Sequence, residues 1–309
     1  MTLAQHERLY LPEGDCYLEA DVSLAEFTTY RVGGAAQWYI APQSLEQTQA
    51  CLRWAHREGL PITVLGAGSN LLISDQGLPG LVISTRHLRE QTFDQDTGLI
   101  TVAAGKPLPR LCWQLAKQGW AGLEWAVGVP GTVGGAVVMN AGAHGASISD
   151  SFVKALVLSA DGSLSTLSAA DMEYSYRSSA LQKTQSVVVQ ASFALQPHQS
   201  PDAVYQLTES HLNHRLGTQP YDMPSCGSVF RNPQPRTAGW LIEQSNLKGY
   251  QIGGAQVSEK HANFIVNRAS AKAIDIYRLI LHVQQTVETQ WGLRLHPEVK
   301  ILGNFDDPA

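Results

Sequence analysis

The sequence predicts an α+β protein, and three observations carry that reading. In the first 120 residues, short segments with helical spacing alternate with short apolar runs. The middle of the chain holds alternating runs joined by Asp161-Gly162, a strong hairpin signal. The longest helical pattern, 271–290, lies beyond a proline boundary at Pro197 to Pro201. With 309 residues, 44% hydrophobic and 16% charged, the chain is long enough for two or three small domains.

The elements follow in order. Residues 44–58 read as a helix capped by Ser44, with Leu45, Cys51, Leu52 and Ala55 largely on one face and Gly59 as its stop. Pro61 to Leu65 is a short apolar strand that runs straight into Gly66. Leu81 to Ser84 and Ile100 to Ala103 also read as strands. Residues 107–118 carry Leu108, Leu111, Cys112 and Leu115 at helical spacing, with Gly119 as the stop. Val153 to Ser159, Leu164 to Leu167 and Gln185 to Leu195 form the β-rich middle. A helix near 202–216 is followed by a run rich in Pro, Gly and Asn from Pro220 to Arg236. The last helix, 271–290, takes Ser270 as cap and Ile274, Tyr277, Leu281 and Val287 as its apolar face. A final strand near Arg294 to Leu302 carries His296-Pro297-Glu298. This gives three α+β units, 1–85, 86–198 and 202–309.

Two glycine-rich segments stand out. Gly128 to Gly142 holds too much glycine for a core helix or strand and is too apolar for a linker. Leu65 to Ile73 contains Gly66-Ala67-Gly68-Ser69-Asn70. Glycine lets backbone N–H groups approach a ligand without an intervening Cβ, so the pair predicts a large phosphate-bearing cofactor between the first two units. The Rossmann fingerprint is absent: Leu71 stands where a third glycine belongs, and no acidic residue closes a second strand near Arg86 to Leu88. The Ser69 hydroxyl and Asn70 amide suit a phosphate cradle.

Composition excludes other classes. A net charge of −5 with no basic run argues against a nucleic-acid partner. Cys16, Cys51, Cys112 and Cys226 are too scattered for a disulfide framework, and no metal site is expected. No apolar run is long enough to span a bilayer, so no membrane association is expected. Residues 1–16 lack a basic region followed by an apolar run, so a cytoplasmic location is expected.

Taken together, the motifs resemble the MurB family, the UDP-N-acetylenolpyruvoylglucosamine reductases of peptidoglycan precursor synthesis. The matching residues are Thr29 to Gly34, Gly66 to Leu72, Gly128 to Gly135 and Asn140 to Gly142. They continue through Tyr174 to Ser179, Gly227 to Pro233, Ala238 to Gln244, Lys260 to Asn267 and His296 to Val299, in order from Phe27 to Gly303. The resemblance implies a vanillyl-alcohol-oxidase/PCMH-type FAD-binding fold of two α+β subdomains, with a C-terminal α+β substrate-binding domain. It implies noncovalent FAD, held at Tyr30, Gly66, Ala67, Gly68, Ser69, Asn70, Gly128, Pro130, Gly131, Gly134, Gly135, Asn140 and Gly142. NADPH would be the hydride-donating cosubstrate, and UDP-N-acetylglucosamine enolpyruvate the small-molecule substrate.

Three residues match catalytic positions of the family. Arg177 would grip the substrate carboxylate, since a planar guanidinium meets both oxygens. Ser228 would protonate the carbon beside it, and Glu298 would face Arg177 across the site. In isolation these residues read as a surface ion pair, a turn serine and an exposed strand-edge carboxylate. Arg215, Asn232 and Gln244 match substrate contacts, whereas His261 and Asn263 take no catalytic role. Only a short segment separates Arg177 from the helix near 202, so the chain resembles the shorter, type II branch, and the tyrosine lid of the longer branch is not carried over. A monomer is expected. The alternatives are another FAD-linked oxidoreductase of this fold acting on a sugar or alcohol, and a noncatalytic nucleotide-binding protein. The first would have no reason to keep Arg177, Ser228 and Glu298 in their motifs, and the second would lack flavin colour.

Overall fold

A computed structural model describes residues 7–306. Residues 1–6, part of the segment read for a leader, lie outside the described residues. The chain forms two compact units. Of the described residues, one takes 7–22, 37–67 and 79–214; the other takes 23–36, 68–78 and 215–306.

The first unit opens on a hairpin, β1 (Arg8–Leu11) and β2 (Cys16–Ser23), in which every second residue of β2 from Cys16 to Val22 is buried. That strict period of two marks a strand with one wet face. Next come β3 (Ala35–Ile40), α1 (Leu45–Arg57) and β4 (Ile62–Leu65). Ser44 caps α1 as expected, accepting the Gln47 N–H at 3.2 Å, and Cys51, Leu52 and Ala55 are buried. Beyond β5 (Leu71–Ile73), β6 (Leu78–Ser84) lies parallel to β4 and completes a sheet of order β1-β2-β3-β6-β4.

A second sheet in the same unit has order β12-β11-β13-β8-β7. Its members are β7 (Gln91–Asp94), β8 (Leu99–Ala103), β11 (Phe152–Leu158), β12 (Leu164–Ser168) and β13 (Val187–Ala194). Its strands pack against α2 (Leu108–Lys117) and α3 (Val133–Met139) in a core that includes Ile100, Leu111, Trp120, Val137 and Phe193. The small hairpin β9 (Gly142–Ala143) and β10 (Ala146–Ser147) follows α3, and α4 (Pro201–Thr218) begins at the expected boundary.

The second unit packs α5 (Ala238–Gln244) and α6 (Ala273–Trp291) with the sheet β14 (Gln251–Ile252), β15 (Ala255–Val257) and β16 (Ile265–Asn267). The last strand, β17 (Lys300–Leu302), pairs in parallel with β5.

Four local expectations change. The glycine-rich run 128–142 contains a helix, α3, with Val133, Gly134, Ala136 and Val137 buried, because the missing Cβ of Gly134 lets the helix pack closely against Ala104 instead of breaking the element. Ser270 is not the cap of α6; Asp75 accepts the N–H groups of Ala273 and Ile274 at 2.9 and 3.0 Å. The buried stripe of α6 is Ile276, Leu279, Ile280, Val283 and Val287, while Leu281 is 43% exposed. Two overlapping stripes have helical spacing there, and only packing chooses between them. Of the strand expected over 294–302, only β17 joins a sheet, since residues 296–298 bond to residues 229–231 instead.

Candidate active site

One group of candidate residues is built on α3. Thr132 caps it, its Oγ1 accepting the Gly135 N–H at 3.3 Å. The N–H groups of Val133 and Gly134 donate to the carbonyls of Lys106 and Ala104, both at 2.9 Å. A Cβ on Gly134 would lie 2.7 Å from the Ala104 Cβ, so this glycine lets the first turn rest on the end of β8. The missing Cβ of Gly68, at φ +63°, points at the Phe27 carbonyl. At both glycines the protein's own atoms occupy the place a Cβ would take. Gly66 joins the two glycine-rich segments, since a Cβ there would meet Thr132 Oγ1 at 2.7 Å. Gly135 is different: its Cβ would meet only Thr132 Oγ1, at 3.6 Å.

Among the described residues, none accepts the backbone N–H groups of Ala67, Gly68 or Asn70. Unpaired N–H groups in the turn that follows β4 suit an anion. These residues therefore fit the diphosphate of a flavin dinucleotide. Gly131 has φ +139° and gives its carbonyl to the Leu108 N–H at 3.0 Å, and Gly128 is buried beside the exposed Pro130.

The C-terminus of α3 holds the arginine motif. Asn140 closes the helix in the left-handed region at φ 42°. Its Nδ2 donates to the Ser175 carbonyl at 3.0 Å, and its Oδ1 accepts the Ser149 N–H at 3.0 Å. The helix carbonyls of Val137 and Val138 accept from Tyr174 Oη at 3.1 Å and Ser179 Oγ at 2.6 Å. Between these anchors Ser175 and Ser178 bond each other across a tight turn, with Arg177 at φ 55°. Arg177 Nη2 donates to the Gly142 carbonyl at 2.6 Å, and its guanidinium lies 5.0 Å from the Tyr176 ring centroid. Gln182, which no sequence signal singles out, ties the carbonyls of Val138 and Arg177 together at 3.1 and 3.0 Å.

In the second unit, the Ser228 and Glu298 motifs meet. The Glu298 N–H donates to the Val229 carbonyl at 2.7 Å, and the Arg231 N–H donates to the His296 carbonyl at 2.9 Å. Ser228 is half-buried and follows Gly227, whose φ of +79° makes the turn into this ladder. The Asn70 Nδ2 donates to the Glu298 carbonyl at 3.2 Å, and the Lys300 N–H donates to the Asn70 carbonyl at 3.0 Å. Tyr30 is fully buried beside Cys226; its hydroxyl has no hydrogen-bond partner of normal geometry, and its carbonyl accepts from Asn267 at 2.9 Å. Burial pushes the Cys226 thiol up to about 12, which leaves it protonated and inert. Asn232 Oδ1 accepts the N–H of Ala238 at the start of α5, and Gln244 is exposed at its other end. Arg215, in the last turn of α4, donates to Gln219 at 3.0 Å.

Comparison with known proteins fits this arrangement. Residues 36–168 match the FAD-binding domain model, and residues 219–302 match the C-terminal domain of UDP-N-acetylenolpyruvoylglucosamine reductase. A protein of Acaryochloris marina named UDP-N-acetylenolpyruvoylglucosamine reductase is 60% identical, and the match covers 96% of each chain. The chain belongs to that reductase family. A Nostoc member is 59% identical over 96% of this chain and 90% of its own length. The crystal structure of the reductase from Thermus caldophilus superposes with a TM-score of 0.77 at 31% identity, covering 96% of this chain and 99% of that one. The family assignment fixes the fold class: a PCMH-type FAD-binding fold followed by the C-terminal domain of the reductases. Among the described residues, no helix is long and apolar enough to cross a membrane.

Proposed function

We propose that Arg177, Ser228 and Glu298 carry the chemistry of this flavin-dependent UDP-N-acetylenolpyruvoylglucosamine reductase. The observation that supports the roles best is the bond from Glu298 N–H to the Val229 carbonyl, which sets the glutamate beside the serine loop. When bound, FAD supplies the hydride for the terminal vinyl carbon, having been reduced by NADPH. Negative charge then spreads into the substrate carboxylate. Arg177 stabilises it there, and charge that grows in the transition state gains most from a preorganised cation. Ser228 gives its proton to the carbon beside the carboxylate and recovers one from solvent. Glu298 holds the carboxylate in its enol-like, protonated form or orients a water.

Arg215, Asn232 and Gln244 are proposed to contact the nucleotide substrate, with 1–85 and 86–198 holding FAD and 202–309 holding substrate. FAD contacts are proposed at Tyr30, residues 66–70, Gly128, Pro130, Gly131, Gly134, Gly135, Asn140 and Gly142. We place the protein in the cytoplasm as a monomer. Anaerobic stopped-flow separates the roles. Ser228→Ala should leave flavin reduction by NADPH unchanged and slow reoxidation by substrate by about two to four powers of ten. Reoxidation at the wild-type rate would assign the proton to another group.

A further inference from the structure

The His261-Ala262-Asn263 motif has no part in the chemistry above, yet it holds the serine loop. Asn263 is 2% exposed. Its carbonyl accepts the Val229 N–H at 2.8 Å. Its side-chain Oδ1 accepts the Phe230 N–H at 3.0 Å, and its Nδ2 donates to the Phe230 carbonyl at 2.8 Å. One residue thus satisfies both residues that follow Ser228, opposite the bonds made by residues 296 and 298. Asn263 is held in turn: its own N–H donates to His261 Nδ1 at 3.2 Å. That bond requires Nδ1 to be unprotonated.

We propose that Asn263, with His261 behind it, is the positioning residue for Ser228, aligning its hydroxyl by clamping the two residues that follow. The proposal rests on Ser228 being the proton donor. A serine is a weak acid, so its usefulness depends on a fixed line to the accepting carbon, and small misplacements are costly. Burial lowers the imidazole below its ordinary 6.5; its own backbone carbonyl opposes this, Lys248 adds to the lowering, and Glu243 opposes it. Lys248 and Glu243 are themselves paired at 2.8 Å. The Phe264 ring, 4.9 Å away between centroids, covers the imidazole. At neutral pH the ring is therefore uncharged and accepts the Asn263 N–H. Below its lowered pKa it gains a proton on Nδ1 and the bond is lost.

The test compares H261F, which removes the acceptor, with H261N, whose amide oxygen stands near the Nδ1 position. Pre-reduced protein is mixed anaerobically with the enolpyruvyl substrate, and amide hydrogen exchange is followed at Val229 and Phe230. H261F should reoxidise roughly tenfold more slowly, the size of one ordinary hydrogen bond, with faster exchange at both amides. H261N should restore both. In an S228A background, H261F should have no further effect on rate. If H261F slows the S228A protein as much as the wild type, or leaves exchange unchanged, the positioning role is wrong while the serine assignment stands. If S228A alone reoxidises like the wild type, the serine assignment fails and the positioning role falls with it. Should H261F not fold, the pH profile decides. Wild-type reoxidation should decline below the His261 pKa and H261N should show no such limb; the same limb in both overturns the proposal.

Discussion

Asn140 joins the glycine-rich helix to the arginine turn, and replacing it tests that link. In Asn140→Ala the Ser175 carbonyl and the Ser149 N–H both lose their partner, at a site where residue 140 is only 5% exposed. Two such bonds are worth about 1 kcal/mol each. Alanine at φ 42° adds about 1–2 kcal/mol, since a Cβ disfavours the left-handed region. The expected loss is about 3–4 kcal/mol. For a unit of this size that lowers Tm by roughly 10 °C. Asn140→Gly restores the backbone freedom and should lose only about 2 kcal/mol. Urea unfolding followed by tryptophan fluorescence reads the transition, because Trp120 and Trp125 lie in the same core. In stopped-flow, the loosened Arg177 turn should weaken substrate binding in both variants. Equal destabilisation by Ala and Gly would remove the backbone contribution, and a loss under about 0.5 kcal/mol for Ala would refute the reasoning.

Other outcomes follow from the same geometry. Asp75→Ala leaves two N–H groups at the start of α6 without their carboxylate and should cost about 2 kcal/mol by chemical denaturation, with Asp75→Asn losing about half as much. Gly68→Ala should fail to give folded protein, because its Cβ meets the Phe27 carbonyl, whereas Gly135→Ala should keep or raise stability while lowering flavin occupancy measured by absorbance. Cys226, pushed up to about 12, should resist iodoacetamide at pH 8 in the folded protein and react only after denaturation. Arg177→Ala should slow reoxidation by substrate and also weaken substrate binding, since its charge acts in both ground and transition states.

Local signals carried much of the fold. Ser44 and the face Cys51, Leu52 and Ala55 are visible from spacing alone, as is the hairpin at Asp161-Gly162. Where the reading changed, the deciding partner lay far away in sequence. Asp75 caps a helix 198 positions downstream, and a local scan can only offer Ser270. Gly134 reads as a helix breaker because Ala104, the neighbour that requires a glycine there, is not adjacent in sequence. The motif residues of the candidate site were legible as a set. What the sequence could not disclose is how they are held: Gln182 behind Arg177, Asn140 under the Ser175 turn, and Asn263 behind Ser228.

The parallel pairing of β17 with β5 bears on how the protein is born. The Ser69-Asn70 segment is made well before its neighbour strand, residues 300–302. Parallel pairing across so long an interval forms slowly, because loop closure precedes any gain from contact. The first glycine-rich segment therefore lacks this neighbour until residues 300–302 have been made. A nascent chain stalled before Lys300 would expose an unpaired strand edge at Leu71 to Ile73, a natural substrate for chaperones.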